Sequence, residues 1–182
     1  MLDELGVVEA REAGPAIYGL ANGTGKARSR RDGSLREPKS WRVVTLSSGE
    51  FPIDAKLAED RNRRARAGQM VRMLDVHVDR GLGFGAFDHA GPDGDAGKLS
   101  NSLKAAATGA YGTAGPAFIR ALIIENVDGA AVRAMVTEFV KKNVPVGADG
   151  QVSRAAEKFG LVAAAGELAT QLGVTSWRDL LA

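Results

Sequence analysis

Cysteine is absent from the 182-residue chain, which removes disulfides and thiolate-ligated metals from consideration and fits a reducing, cytoplasmic compartment. Histidine is scarce: His77 and His89 are the only two, and no acidic metal-ligand pattern surrounds them, so they are expected to be structural or exposed rather than ligands. No apolar run approaches the roughly 20 residues that span a bilayer, and Met1-Leu-Asp-Glu-Leu-Gly6 does not form a signal peptide. A soluble, intracellular protein with no membrane partner is expected. A large net charge is lacking as well. Twenty-four basic and 22 acidic residues leave +2, so only the distribution of charge along the chain can point to an anionic partner. No Ser/His/Asp arrangement or nucleophile elbow is present.

What is there matches a globular protein: 45% hydrophobic and 25% charged residues in a length suited to one domain, or one domain with a small helical appendage. Val8, Ala13, Ile17 and Leu20 fall at helical spacings. Gly14-Pro15 predicts a break there, hence a short helix and a second turn rather than one rod. Gly23-Thr-Gly25 predicts the helix end. Residues 26–39 carry no apolar periodicity and read as an exposed loop, with Arg31-Asp-Gly33 as a turn or hairpin tip. Trp41-Arg-Val-Val-Thr-Leu46 reads as a central strand and residues 69–78 as a second. Pro52 suits the first turn of a helix reaching about Arg64. After a Gly/Asp/Pro-rich boundary at residues 88–97 the composition turns helical and alanine-rich, with segments expected at 99–111, 116–126, 130–143 and 151–172.

Four groups of residues are candidates for chemistry. Gly23-Thr-Gly-Lys26 suggests a phosphate-binding loop but fails as one: Leu20 stands where the first glycine of the pattern belongs, Ala27 follows the lysine, and a helix precedes the segment. The basic run Lys26, Arg28, Arg30, Arg31, Arg36, Lys39 and Arg42, interleaved with glycines and poor in apolar anchors, suits nucleic-acid phosphates rather than bases; the alternative is a solvated loop. Asp3-Glu4 is either an ordinary surface pair or the pair that orients magnesium and polarises water in an NTPase. Arg61, Arg63, Arg64 and Arg66, leading to Arg72, form either a charged helix end or a source of an arginine finger.

Taken in order, Leu2-Asp-Glu-Leu-Gly6, Tyr18-Gly-Leu-Ala-Asn-Gly-Thr-Gly-Lys-Ala-Arg28, Trp41-Arg-Val-Val-Thr-Leu-Ser-Ser-Gly-Glu50, Arg64-Ala-Arg-Ala-Gly-Gln69 and Val71-Arg72 resemble the C-terminal half of the DUF927 family. The likeness continues more weakly into residues 150–159 and 163–169. The resemblance implies a helicase-like P-loop NTPase of the kind joined to primase modules in phages, plasmids and other mobile elements. It implies an α/β fold: a partial P-loop NTPase core of RecA/AAA type over residues 1–90, lacking its N-terminal strands and phosphate loop, followed by a helical subdomain over 91–182. It also implies ATP and magnesium as cofactors, DNA as partner, in single-stranded and sequence-independent form, and a homo-oligomeric ring. Asp3 and Glu4 match its Walker B pair, with Asp3 the magnesium residue, and Ser47 or Ser48 stands where a γ-phosphate sensor would. Arg64, Arg66 or Arg72 would be the finger. Arg154, by its position near a helix start, is a candidate second sensor, and Lys26, Arg28, Arg30 and Arg31 are the candidate DNA contacts.

The family's phosphate-binding loop lies upstream of the acidic pair, and here only Met1 and Leu2 precede it. The expectation is a fold that begins in its middle and does not hydrolyse ATP alone. Such a chain is either the C-terminal piece of a split, mis-started or truncated helicase completed by an upstream NTPase fragment, or a stand-alone nucleic-acid-binding remnant. A protein-interaction domain whose arginines pair with a partner is the reading from another class.

Overall fold

The computed structural model describes residues 8–25, 29, 32–59 and 70–177. The chain divides into two compact units, Met1–Val76 and His77–Ala182. Among the described residues there are six helices and no strand.

In the first unit, α1 (Ala10–Asn22) runs unbroken through Pro15, which corrects the expected division into two turns. Proline removes one hydrogen bond and crowds the preceding turn, at a cost of about 3 kcal/mol. Against it, Ala13 and Ile17 are buried with Ile53 and Leu57 of α2 (Ile53–Ala58), and Val8, Met70 and Met73 close over the cluster. Burial of one isoleucine or leucine contributes roughly 1.5–3 kcal/mol, so the shared cluster is enough to keep the rod whole. The helix ends where the sequence says it should: Gly23 adopts a left-handed φ of 67°.

The α/β expectation, and with it the P-loop NTPase core, is overturned. Residues 41–46 run irregularly, and Val43, Val44 and Leu46 are 58%, 82% and 69% exposed. The second expected strand fares no better: Gln69 lies outside the described residues, Met70 has helical backbone, 71–73 form a turn and bend, and 74–78 have no regular structure. Strand propensity describes how well a side chain fits a pleated, half-buried surface, and it creates no strand without a neighbour to complete the ladder. Among the described residues the β-pairing consists of isolated bridges, Thr24 with Ser40 and Ser29 with Leu35, and a single bridge position at Ser47.

The second unit contains α3 (Ala96–Gly109), α4 (Ala114–Ile124), α5 (Gly129–Asn143) and α6 (Gly150–Gln171), each within three residues of its expected bounds. Aspartates start three of them. Asp95 accepts from Gly97 and Lys98 N–H, Asp128 from Ala131 N–H and Asp149 from Gln151 N–H, each satisfying donors that a helix start leaves unpaired. α5 and α6 pack together, and the contact is close because Gly160 lacks a side chain. A Cβ there would stand 3.1 Å from Phe139 Cδ1 and 3.2 Å from Val136 Cγ1. Gly160, Ala164, Gly166, Glu167 and Ala169 are buried along α6, whereas α3 and α4 bury no residue. Glu167, the one buried charged residue described, accepts from Gln171 Nε2 at 2.9 Å.

Candidate nucleic-acid interface

The basic segment leaves α1 through a tight junction. Gly23 is left-handed, and a Cβ on it would lie 2.6 Å from the carbonyl oxygen of Trp41, so glycine is required on both counts. Trp41 N–H donates to Gly23 O at 2.8 Å, and Gly25 N–H donates to Lys39 O at 2.8 Å. The indole Nε1–H of Trp41 donates to Leu20 O at 3.1 Å. Leu20 belongs to the last turn of α1, whose carbonyls have no donor within the helix. A side chain from beyond the loop thus completes the helix before it.

The two bridges share one register: Ser29 is five residues after Thr24, and Leu35 is five residues before Ser40. That is the geometry of an antiparallel hairpin arm turning at Asp32-Gly33. The aspartate carboxylate accepts from the Ser34 hydroxyl at 2.7 Å and from its backbone N–H at 3.0 Å, and Gly33 takes a φ of 81°. The Ser34 hydroxyl, then its backbone N–H, hold the Asp32 carboxyl below its ordinary pKa by stabilising the anion. The hairpin tip anticipated at Arg31-Asp-Gly33 is therefore found at its two described residues.

From Lys26 to Arg42 the sequence carries seven basic residues against two acidic ones, Asp32 and Glu37. Arg36, Lys39 and Arg42 are exposed and form no ion pair with a carboxylate among the described residues. Lys26, Arg28, Arg30 and Arg31 lie outside the described residues.

The other candidates are placed as follows. Asp3, Glu4, Arg64 and Arg66 lie outside the described residues. Ser47 and Ser48 sit on the irregular segment after residue 46, and Ser47 Oγ donates to Ser48 O at 3.4 Å. Ser47 is a single bridge position, and no strand among the described residues carries either serine. Arg72 stacks over the Tyr18 ring of α1, 4.4 Å from its centroid, where the guanidinium meets the ring's negative face. Arg154 is exposed near the start of α6, in the other unit. His77 and His89 serve their own loop: His77 Nδ1–H donates to Asp79 O, and His89 Nδ1 accepts from Gly91 N–H.

No group of three or more His, Asp or Glu among the described residues is disposed to hold a metal ion. Nor is any helix among them long and apolar enough to cross a membrane.

Sequence reasoning missed Trp41 as an anchor, because it read the residue as the first of a strand. A lone tryptophan beside a glycine-rich loop, in a chain with two tryptophans, was the available signal. It also missed Asp75, whose Oδ2 accepts from Ile53 N–H at 2.9 Å.

Residues 1–40 match the family model of DUF927, a domain of unknown function. The match takes in α1 and the hairpin as far as Ser40. No curated protein and no solved structure matches the chain.

Proposed function

We propose that the chain bearing this DUF927 segment binds DNA without sequence preference, using the basic arm between Thr24 and Arg42 to engage the phosphate backbone. The observation that supports the reading is a hairpin with one register, stitched at its base to α1, in the stretch where the chain concentrates positive charge. Arg36, Lys39 and Arg42 stand exposed on it with no carboxylate partner among the described residues. Guanidinium and ammonium groups on such an arm displace condensed counterions from phosphates, and phosphate contacts of this kind carry no sequence information. Lys26, Arg28, Arg30 and Arg31 join them in this proposal by their place in the sequence.

ATP-driven translocation is the finer form of the same reading, carried by the family resemblance. The chain contains no G-x-x-x-x-G-K-[ST] pattern, so on this proposal its DNA binding needs no nucleotide. Translocation would need a phosphate-binding loop, which these 182 residues do not include.

The test is fluorescence anisotropy of a labelled single-stranded oligonucleotide titrated with the full chain across a series of salt concentrations. If all seven basic residues engage phosphates, log affinity falls with log salt with a slope on the order of −5. The triple variant Arg36→Gln, Lys39→Gln, Arg42→Gln weakens binding at least tenfold and flattens that slope. Affinity that ignores both salt and these substitutions overturns the proposal and leaves the protein-partner reading in its place.

A further inference from the structure

The arm's charges depend for their placement on the arm's base, and the base depends on one side chain. We propose that Trp41 is a positioning residue for the polyanion site: it locks the hairpin to the C-terminal end of α1, so that the basic arm is presented from a fixed root. The inference rests on the DNA-binding reading above.

Three contacts carry it. The indole Nε1–H reaches back 21 residues to Leu20 O, at 3.1 Å. The Trp41 backbone N–H pairs with Gly23 O at 2.8 Å, across the point where the chain leaves the helix. The indole ring covers Gly25, with Cζ3 at 3.7 Å from the position a Cβ would occupy there. Helix end, hairpin entry and hairpin exit therefore meet at one residue, which is half-buried while every described arm residue from Asp32 to Ser40 is exposed. The exposed part of the arm has no core of its own. A two-stranded hairpin alone is marginal in water, so its order must come from its root.

The indole hydrogen bond also has a direction that matters. It meets a carbonyl at the partially negative end of the helix, where cations are favoured. Of the described basic residues, Lys39, whose carbonyl accepts from Gly25 N–H, and Arg42, next to Trp41, are the two that flank this junction in the chain.

A fixed root affects binding through entropy. Each phosphate contact made by a swinging arm bears the cost of ordering that arm, whereas an arm already ordered at its base makes several contacts together. Losing the tether should therefore lower affinity and reduce the number of phosphates engaged at once, although every charge remains.

The experiment compares the full-length chain with Trp41→Phe, which keeps a ring over Gly25 but lacks the donor, and with Gly23→Ala, which opposes the junction through the backbone. Two measurements are made on each: oligonucleotide affinity with its salt slope, and the rate of tryptic cleavage after Arg36 and Lys39. Far-UV circular dichroism on each variant verifies that the helices are retained. The expected result for Trp41→Phe is several-fold weaker binding, a shallower salt slope and faster cleavage at Arg36 and Lys39, with unchanged helicity. Gly23→Ala moves all three in the same direction.

Native affinity and slope in Trp41→Phe, or cleavage at the native rate, overturns the inference. The charge-neutralised triple variant in the same assay separates the two claims. If it weakens binding while Trp41→Phe does not, positioning by Trp41 is wrong and the DNA reading stands. If neither substitution changes affinity, both fall.

Discussion

The carboxylate of Asp75 accepts a hydrogen bond from the backbone N–H of Ile53 at 2.9 Å, across 22 residues of sequence. Ile53 is the first residue of α2, and its own N-cap position is Pro52, which offers no side-chain acceptor. Asp75 thus does from a distance what a capping residue normally does locally, and it adds a negative charge at the positive end of the helix. Ile53 is also in the core of the first unit, so the bond ties the segment after Met73 to that core. Asp75→Ala should destabilise this unit by about 1 kcal/mol, with a smaller loss for Asp75→Asn, which keeps an acceptor. Chemical denaturation monitored by tryptophan fluorescence measures both.

Gly160 sets the spacing of α5 and α6. A methyl there would meet Phe139 at 3.1 Å and Val136 at 3.2 Å, and a larger group has nowhere to go without parting the helices. Gly160→Leu is expected to lower the stability of the second unit by about 1–3 kcal/mol. Gly160→Ala should fall much nearer the native value, since its gain in helix propensity of about 1 kcal/mol offsets part of the crowding. Thermal melts followed at 222 nm distinguish the two; equal stability of the leucine variant would mean that the helices are not packed at this point.

Asp32 at the arm's tip should titrate below an ordinary aspartate, because the Ser34 hydroxyl and amide stabilise its anion. The sign follows from the lowered folded pKa. The turn's contribution is present above the unfolded-state pKa and is lost as pH falls through the lower folded value. Carboxyl carbon chemical shifts across an acid titration report the midpoint directly. Ser34→Ala should bring it back toward the ordinary value, by removing the largest of its causes.

The aspartate caps of the second unit offer a graded comparison. Asp149→Ala removes the acceptor for Gln151 N–H at the start of α6, the helix with most of that unit's buried residues. A loss of about 1 kcal/mol is expected. Asp95→Ala acts on α3, which buries none, and should alter local amide exchange in that helix more than the cooperative melting of the unit.

The helical half was legible because its signals are local. Alanine-rich composition and helical spacing act within a turn or two of chain, and α3 to α6 follow them; the aspartates that start three of these helices act over the same short range but were not read as signals. The end of α1 at Gly23 and the hairpin tip at Asp32-Gly33 were legible for the same reason. What misled was Trp41 to Leu46, where β-branched residues imitate a strand. A strand is a relation between two stretches of chain, and composition in one cannot supply the other. Pro15 misled in the opposite way: the rule for proline is local, but the burial of Ala13 and Ile17 that outweighs it comes from α2, more than thirty residues away. Asp75 and Trp41 were invisible on similar grounds, since each acts on a backbone group over 20 residues distant.

The shared register of the two bridges makes the arm sensitive to parity. One residue inserted on one side between Thr24 and Ser29 would set the Ser29–Leu35 bridge out of step with the Thr24–Ser40 bridge, because β-pairing has a side-chain period of two. A matched pair of insertions, one on each side, would lengthen the arm and leave the faces as they are. Changes of length in this stretch should therefore be tolerated in balanced pairs, and an unpaired insertion should scramble the arm's charges without removing any of them.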